Sequence, residues 1–316
     1  MENIRKFRIL TVTLNPAIDR TIFIPGFKSG KVNRVEKDSL NAGGKGVNVA
    51  SLLADYGFSL SVTGFLGREN ALIFEELFKK KFIEDMFIRI DGATRTGIKI
   101  VNEREEETTD INFSGATSSF ENIKKITYLI KSIAGRFDWI VLAGSLPHEV
   151  SPDTYGKIIR ELKTEKVKIA LDASGEPLKE ALISCPDLIK PNKDELEELI
   201  GRKILSPEDI KKVAQYYNNN GIKTVIVSMG AEGALFSEAG KSVLARPGKV
   251  RLVSTVGAGD AMMSGTIAGK LQDLNLEECA RLGTAFSISA LSRIEADLPK
   301  SEELNALTKS ITIKNL

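Results

Sequence analysis

Asp260 is the residue around which chemistry is most readily built. It closes the run Gly257-Ala258-Gly259-Asp260, inside a stretch (residues 254–263) that leaves an apolar, β-branched segment at 250–253 and continues into small and apolar residues. Glycines at such a point let backbone approach a ligand with no Cβ in the way. A helix starting there offers unpaired N–H groups and the positive end of its dipole, which together favour an anion. A carboxylate in that first turn has two readings. It is either a favourable partner of the dipole, or a base that takes a proton from a hydroxyl attacking a bound phosphoryl group. The run alone leaves both open.

Further stretches of the same kind lie along the chain. Gly43, Gly44 and Gly46 surround Lys45, and Asn48 stands one turn further on, where it can reach back to the same spot. No Ser or Thr follows the lysine, so this is not a Walker A loop, and neither run carries a G-x-G-x-x-G fingerprint. Without a ligand the stretch reads as a tight turn with Lys45 in solvent. Asp19, in Asn15-Pro16-Ala17-Ile18-Asp19, is expected at the carboxyl end of the first strand, as an acceptor for sugar hydroxyls or as part of an Asx turn. Arg95, between Thr94 and Thr96, opens a strand and suits bidentate binding of phosphate or a plain surface role. Asn192 and Glu195 share a helix face and could hold Mg²⁺ through water, although N-x-x-E is also a helix-capping pattern. The turn Ser228-Met229-Gly230-Ala231-Glu232-Gly233 fits the wall of a nucleotide site or a simple hairpin.

The elements that must position these residues follow from hydrophobic period. Apolar runs at 7–12, 59–63, 139–143, 167–171, 187–189 and 224–227 read as buried strands. Amphipathic stretches at 70–80, 121–134, 153–163 and 207–219 read as helices between several of them. Such alternation predicts an α/β fold, a mostly parallel sheet with helices on both faces and ligands at the carboxyl ends of its strands. Two zones, 21–35 and 86–113, alternate apolar and polar residues with no helical stretch. They are expected to form antiparallel strands of a small lid sheet, interleaved with the body so that the chain stays one domain over 1–316. An exposed small sheet needs a cover, and a second copy of the chain would supply one. The charge run 103–107 reads as the solvated end of a hairpin.

Composition removes whole classes of function. The 316 residues carry a net charge of +2, spread without blocks or an aromatic-interleaved basic patch, so no nucleic-acid partner is expected. Two cysteines far apart, Cys185 and Cys279, argue against a disulfide framework or thiolate metal site and for a reducing cytoplasm. A single histidine, His148, excludes His-rich metal sites and makes Ser–His or Cys–His catalysis improbable. The start of the chain passes directly into a strand pattern, and no apolar run reaches membrane-spanning length, so no membrane partner is expected.

Taken together and in this order, the motifs resemble the PfkB (ribokinase-like) carbohydrate kinases over nearly the whole chain. The resemblance rests on residues 43–50 (GGKGVNVA) and 257–260 (GAGD), supported by 11–19 (TVTLNPAID), 64–70 (GFLGREN), 109–115 (TDINFSG) and 144–147 (GSLP). It implies a three-layer α/β/α sandwich with a β-sheet lid that pairs in a homodimer. It implies ATP and Mg²⁺ as cosubstrate and cofactor, and a sugar phosphate as acceptor: fructose 1-phosphate phosphorylated at C6, or tagatose 6-phosphate or fructose 6-phosphate. Asp260 would be the base, and Gly257, Ala258 and Gly259 the anion hole. Asp19, Gly43, Gly44, Lys45, Asn48, Arg95 and Ser145 match positions that contact the sugar phosphate, and Lys31 matches a lid lysine. Lys190, Asn192, Ser228, Gly230, Ala231, Glu232, Gly233 and Ser287 match nucleotide positions, with Asn192 and Glu195 linked to Mg²⁺.

Three departures stand out. Thr96-Gly97 follows Arg95 where an apolar residue and then Asn are expected, which removes a polar contact to the sugar. The stretch 144–148 reads GSLPH, and Ala261 follows the base where Ser is usual. A sugar-phosphate-binding regulator on a catalytically dead kinase fold is the non-enzyme alternative, disfavoured by intact Asp260, Asn192 and Glu195. A nicotinamide dehydrogenase is disfavoured by the missing dinucleotide fingerprint.

Overall fold

A computed structural model describes residues 7–102, 104–105, 107–115, 118–248, 257–293 and 296–316. The β-branched segment 250–253, the first part of the 254–263 stretch, and Glu103 and Glu106 of the charge run therefore lie outside the described residues.

The apolar runs become the middle of one large sheet. Its central order is Thr224–Ser228, Leu188–Ile189, Lys168–Asp172, Trp139–Ala143, Arg8–Thr13, Ser59–Gly67, all parallel. An antiparallel edge, Ala234–Glu238, Lys241–Arg246 and Thr312–Asn315, extends it on one side. Successive residues of a strand face opposite ways. Accordingly Ile9, Trp139 and Val141 enter one core while Leu10, Val12, Ile140 and Leu142 enter the other. Helices Lys45–Tyr56, Ala258–Leu271 and Leu276–Leu291 cover the first face, and Phe120–Ile133, Thr154–Leu162 and Pro207–Asn219 cover the second. The result is three layers, with Asp172, Lys190 and Ser228 at or just beyond the carboxyl ends of neighbouring strands.

The small sheet differs from expectation in its bounds and in one pairing. Its order is Lys37–Gly43, Ala17–Phe23, Thr96–Asn102, Glu107–Ile111. The zone 21–35 thus holds only the end of one strand, and residues 24–36 connect two strands instead of forming them. Ala17–Phe23 and Thr96–Asn102 run parallel, Asp19 lying opposite Gly97. The expected all-antiparallel arrangement fails here because these strands are consecutive in space but separated in sequence by a body segment. Nor does all of 86–113 belong to the lid. Ile88–Ile90 pairs with the end of Ser59–Gly67, Phe65 opposite Ile88. The reason is packing: Phe87 is buried and stacks on Phe78 with centroids 5.8 Å apart, so this piece is held on the body.

Candidate active site

The helix Ala258–Leu271 begins at Gly257, whose φ of 77° is left-handed, a conformation that favours glycine. Among the described residues no side chain caps this helix start. Its first-turn N–H groups are therefore left for a ligand. No atom of the described residues outside its immediate neighbours comes within 4 Å of where a Cβ on Gly257 would sit, while a Cβ on Gly259 would lie 3.0 Å from Lys190 Nζ. Gly257, Ala258 and Gly259 thus form a bare edge bordered by a cation.

Asp260 is buried in the first turn and its Oδ2 accepts a 2.7 Å hydrogen bond from Asn48 Nδ2. Asn48 is presented by the helix Lys45–Tyr56, which packs against Ala258–Leu271. Burial raises the Asp260 carboxyl to about 6, and the Asp172 carboxylate pushes the same way, against Lys45, the Asn48 hydrogen bond and Lys190. A carboxylate poised there is ionised at neutral pH yet remains a competent proton acceptor.

Asp172 was not among the residues singled out from sequence, and it organises the site. It is buried at the end of its strand, with Lys45 Nζ 2.8 Å from Oδ1 and Lys190 Nζ 3.2 Å from Oδ2. Burial would raise its pKa, but Lys190 and Lys45 outweigh that and hold it below the usual carboxylate range. Burial likewise disfavours the Lys45 ammonium, and Asp172 and Asp260 outweigh it, leaving its pKa above the ordinary value. Lys45 is therefore not the solvent-facing lysine of the turn reading. Among the described residues two lysines and two carboxylates balance, and the helix N-terminus is the feature of this cluster left without a partner. A signal for Asp172 did exist: it is the one acid directly after an apolar run, just past the expected strand 167–171.

Asp19 corrects an expectation. It lies within the lid strand Ala17–Phe23, not at the end of the first strand, because the chain bends at Leu14 and Asn15, leaves the large sheet and starts a new strand in the small one. Gly43 ends the lid strand Lys37–Gly43 instead of standing in a loop. A Cβ there would come 2.4 Å from Asp19 Oδ2. Gly44, with φ 104°, turns the chain into the helix that carries Lys45 and Asn48. A cleft of about 480 Å³ lies between lid and body, lined by Asp19, Asn41, Asn48, Lys99, Gly257 and Ala296 among others. A second hollow of about 260 Å³ is lined by Asn15, Thr94, Arg95 and Pro147 among others. Arg95 directly precedes the lid strand Thr96–Asn102. Its Nη1 and Nη2 donate to the carbonyls of Phe113 and Asn15, and its buried Nε has no acceptor among the described residues. Burial lowers its pKa, with Asp19 opposing. Ser145 joins this wall through Asn15 Nδ2, 3.2 Å from Ser145 Oγ.

Other expected residues are placed less pointedly. Asn192 and Glu195 form a reciprocal capping box: Asn192 Oδ1 accepts from Glu195 N and Glu195 Oε2 from Asn192 N, both at 2.8 Å. The capping reading is thus realised. Glu195 Oε1 stays without a hydrogen bond among the described residues, and Glu195 is close enough to act on Lys45. No group of three His, Cys, Asp or Glu side chains able to hold a metal occurs among the described residues. One free carboxylate oxygen beside a phosphate site still fits Mg²⁺, which is commonly held by one or two carboxylates, waters and substrate phosphates. Ser228 bridges to Asn192 and leads into the exposed turn Gly230–Glu232, closed by Gly233. Ser287 is buried in Leu276–Leu291, which packs on Ala258–Leu271. Lys31 is exposed on the 24–36 connection and makes no ion pair among the described residues.

A buried carboxylate in the first turn of a helix with no side-chain cap among the described residues, beside a lidded cleft at the carboxyl ends of parallel strands, fits a small-molecule phosphotransferase site. The chain belongs to the pfkB family of carbohydrate kinases, whose model matches residues 12–303. It is 42% identical to the 1-phosphofructokinase of Rhodobacter capsulatus over 310 residues, 98% of each chain. It is 38% identical to the 1-phosphofructokinase of Escherichia coli strain K12, covering 97% of this chain and 98% of that one. Among solved structures, phosphofructokinase-2 from Escherichia coli in complex with fructose-6-phosphate superposes with a TM-score of 0.88 at 26% identity, covering 96% of this chain and 98% of that one. The fold is accordingly ribokinase-like, and the chain is a carbohydrate phosphotransferase. No helix among the described residues is long and apolar enough to cross a membrane.

Proposed function

We propose that this chain is a 1-phosphofructokinase, transferring the γ-phosphoryl group of ATP to the C6 hydroxyl of fructose 1-phosphate. The observation that carries the chemistry is buried Asp260, held by Asn48 in the first turn of Ala258–Leu271. The substrate is inferred from the names of the relatives that match over almost the full length.

In this reading the sugar lies in the cleft between lid and body, its hydroxyls toward Asp19 and its phosphate toward Arg95. Lys45 joins Arg95 on the phosphate side, with Lys31 contributing from the lid. Asp260 accepts the C6 proton as the oxygen attacks in line, and the N–H groups of Gly257, Ala258 and Gly259 take up charge developing on the transferring group. Lys190 and the turn from Ser228 to Gly233 border the nucleotide, with Ser287 behind it. Asn192 and Glu195 would hold Mg²⁺, which supplies neutralisation of phosphate charge when bound. The lid excludes water that would otherwise accept the phosphoryl group. Its outer residues Leu40, Ile111 and Phe113 are exposed apolar surface, which supports a homodimer through the lid. The test is coupled ADP release with fructose 1-phosphate, fructose 6-phosphate and tagatose 6-phosphate. The highest kcat/KM is expected for the first, and a tenfold preference for either of the others overturns the assignment.

A further inference from the structure

The missing polar contact at Thr96-Gly97 has a structural counterpart two residues further on. Lys99 and Gly97 alternate with Ile98 and so share a face of the lid sheet. Because Gly97 stands opposite Asp19, Lys99 reaches back to that carboxylate, Nζ 3.0 Å from Oδ2. The side chains are only 15% and 22% exposed. The place is built for them: a Cβ on Gly43 would meet Asp19 Oδ2 at 2.4 Å, and one on Gly97 would approach Oδ1 at 3.4 Å. Among the described residues neither the Asp19 carboxylate nor the Lys99 ammonium makes another hydrogen bond. A withdrawn ion pair gains little by itself once desolvation is counted, so its unused donors and acceptor imply a further partner. Both residues line the cleft that also holds Asn48 and Gly257.

We propose that Lys99 is a specificity-determining residue which, together with Asp19, reads one ring hydroxyl of the sugar. This rests on the cleft being the sugar-phosphate site. A hydroxyl is both donor and acceptor, and the pair offers the complement: O–H donates to Asp19 Oδ1 while the hydroxyl oxygen accepts from Lys99 Nζ. The substrate's phosphate is a poor occupant of the same spot. Asp19 repels it and already partly neutralises the ammonium, whereas Arg95 has a buried Nε with no acceptor among the described residues. The bare Gly97 gives way to a longer side chain that supplies the polar contact from residue 99.

The test compares fructose 1-phosphate with its 3-deoxy and 4-deoxy analogues on wild type, Lys99→Met, Lys99→Gln and Asp19→Asn, all as full-length chains. Wild type should lose roughly 10- to 100-fold in kcat/KM on one analogue, the range for a hydrogen bond to a charged group. Lys99→Met should lose a similar factor on the parent sugar, keep its KM for ATP, and show that analogue's penalty reduced to about threefold or less. Lys99→Gln, which keeps a neutral donor, should retain part of the penalty. The proposal is overturned if Lys99→Met and Lys99→Gln, folded by circular dichroism, show the wild-type penalty on both analogues. If Asp19→Asn then abolishes the penalty, only the assignment to Lys99 falls. If Asp19→Asn also leaves it unchanged, the sugar lies elsewhere and the reading of the cleft falls with it.

Discussion

Replacing Asn48 with leucine tests whether the Asp260 carboxyl is tuned as the geometry requires. The substitution keeps side-chain size in a buried position and deletes the 2.7 Å donor to Asp260 Oδ2. That hydrogen bond stabilises the ionised carboxylate, so its loss raises the pKa from about 6. A hydrogen bond to a charged group contributes about 1.5–3 kcal/mol, and one pKa unit corresponds to about 1.4 kcal/mol. The acid limb should therefore move up by roughly one to two pH units. The base must be deprotonated to act, so activity is lost as pH falls through this pKa, and in the variant the loss begins at higher pH. The assay is the pH profile of kcat/KM for fructose 1-phosphate, which reports the free enzyme. A wild-type midpoint near pH 6 and a variant midpoint about one to two units higher are expected. A variant midpoint unchanged or lowered would refute the tuning, whatever happens to the plateau.

The same carboxylate should cost stability. Its folded pKa is raised from the usual 3.8, so its unfavourable contribution is absent below pH 4 and grows as pH rises towards 6. Asp260→Asn should thus be more stable than wild type at pH 7–8, by on the order of 3 kcal/mol, and the gain should vanish below pH 4; urea melts at both pH values decide it. Arg95→Ala should lower kcat/KM for the sugar phosphate roughly 10- to 150-fold while sparing KM for ATP, with Arg95→Lys recovering only part. A raised KM for ATP alone would move the phosphate site. Glu195→Gln keeps an oxygen able to accept from Asn192 N, so the helix start should survive. Its defect should appear as weaker Mg²⁺ activation, partly rescued by excess Mg²⁺, and wild-type Mg²⁺ dependence would leave Asn192 and Glu195 as a cap only.

Local pattern made some of the site legible. The apolar runs around 139–143 and 224–227 matched buried parallel strands because both faces of a covered sheet demand continuous hydrophobic sequence. The start of Ala258–Leu271 was legible because Gly257 and Asp260 break the apolar pattern at one point. Asp172 was missed because its place as the one acid directly after an apolar run carries no hint of its partners, and Lys45 and Lys190 converge on it from distant segments. Asp19 and Lys99 illustrate the same limit. Their pairing depends on a parallel register between Ala17–Phe23 and Thr96–Asn102, and no local period encodes a register across that separation. Asn192 and Glu195 show a motif with two physical meanings, one of which, the capping box, is written in the backbone.

The most direct test of the central claim is a rapid-quench single turnover with fructose 1-phosphate and ATP, comparing wild type with Asp260→Asn. Loss of a general base should slow transfer by on the order of 10²–10⁴, with the Kd of both substrates largely unchanged. An Asp260→Asn enzyme that keeps more than about a tenth of the wild-type rate would show that the proton goes to another group.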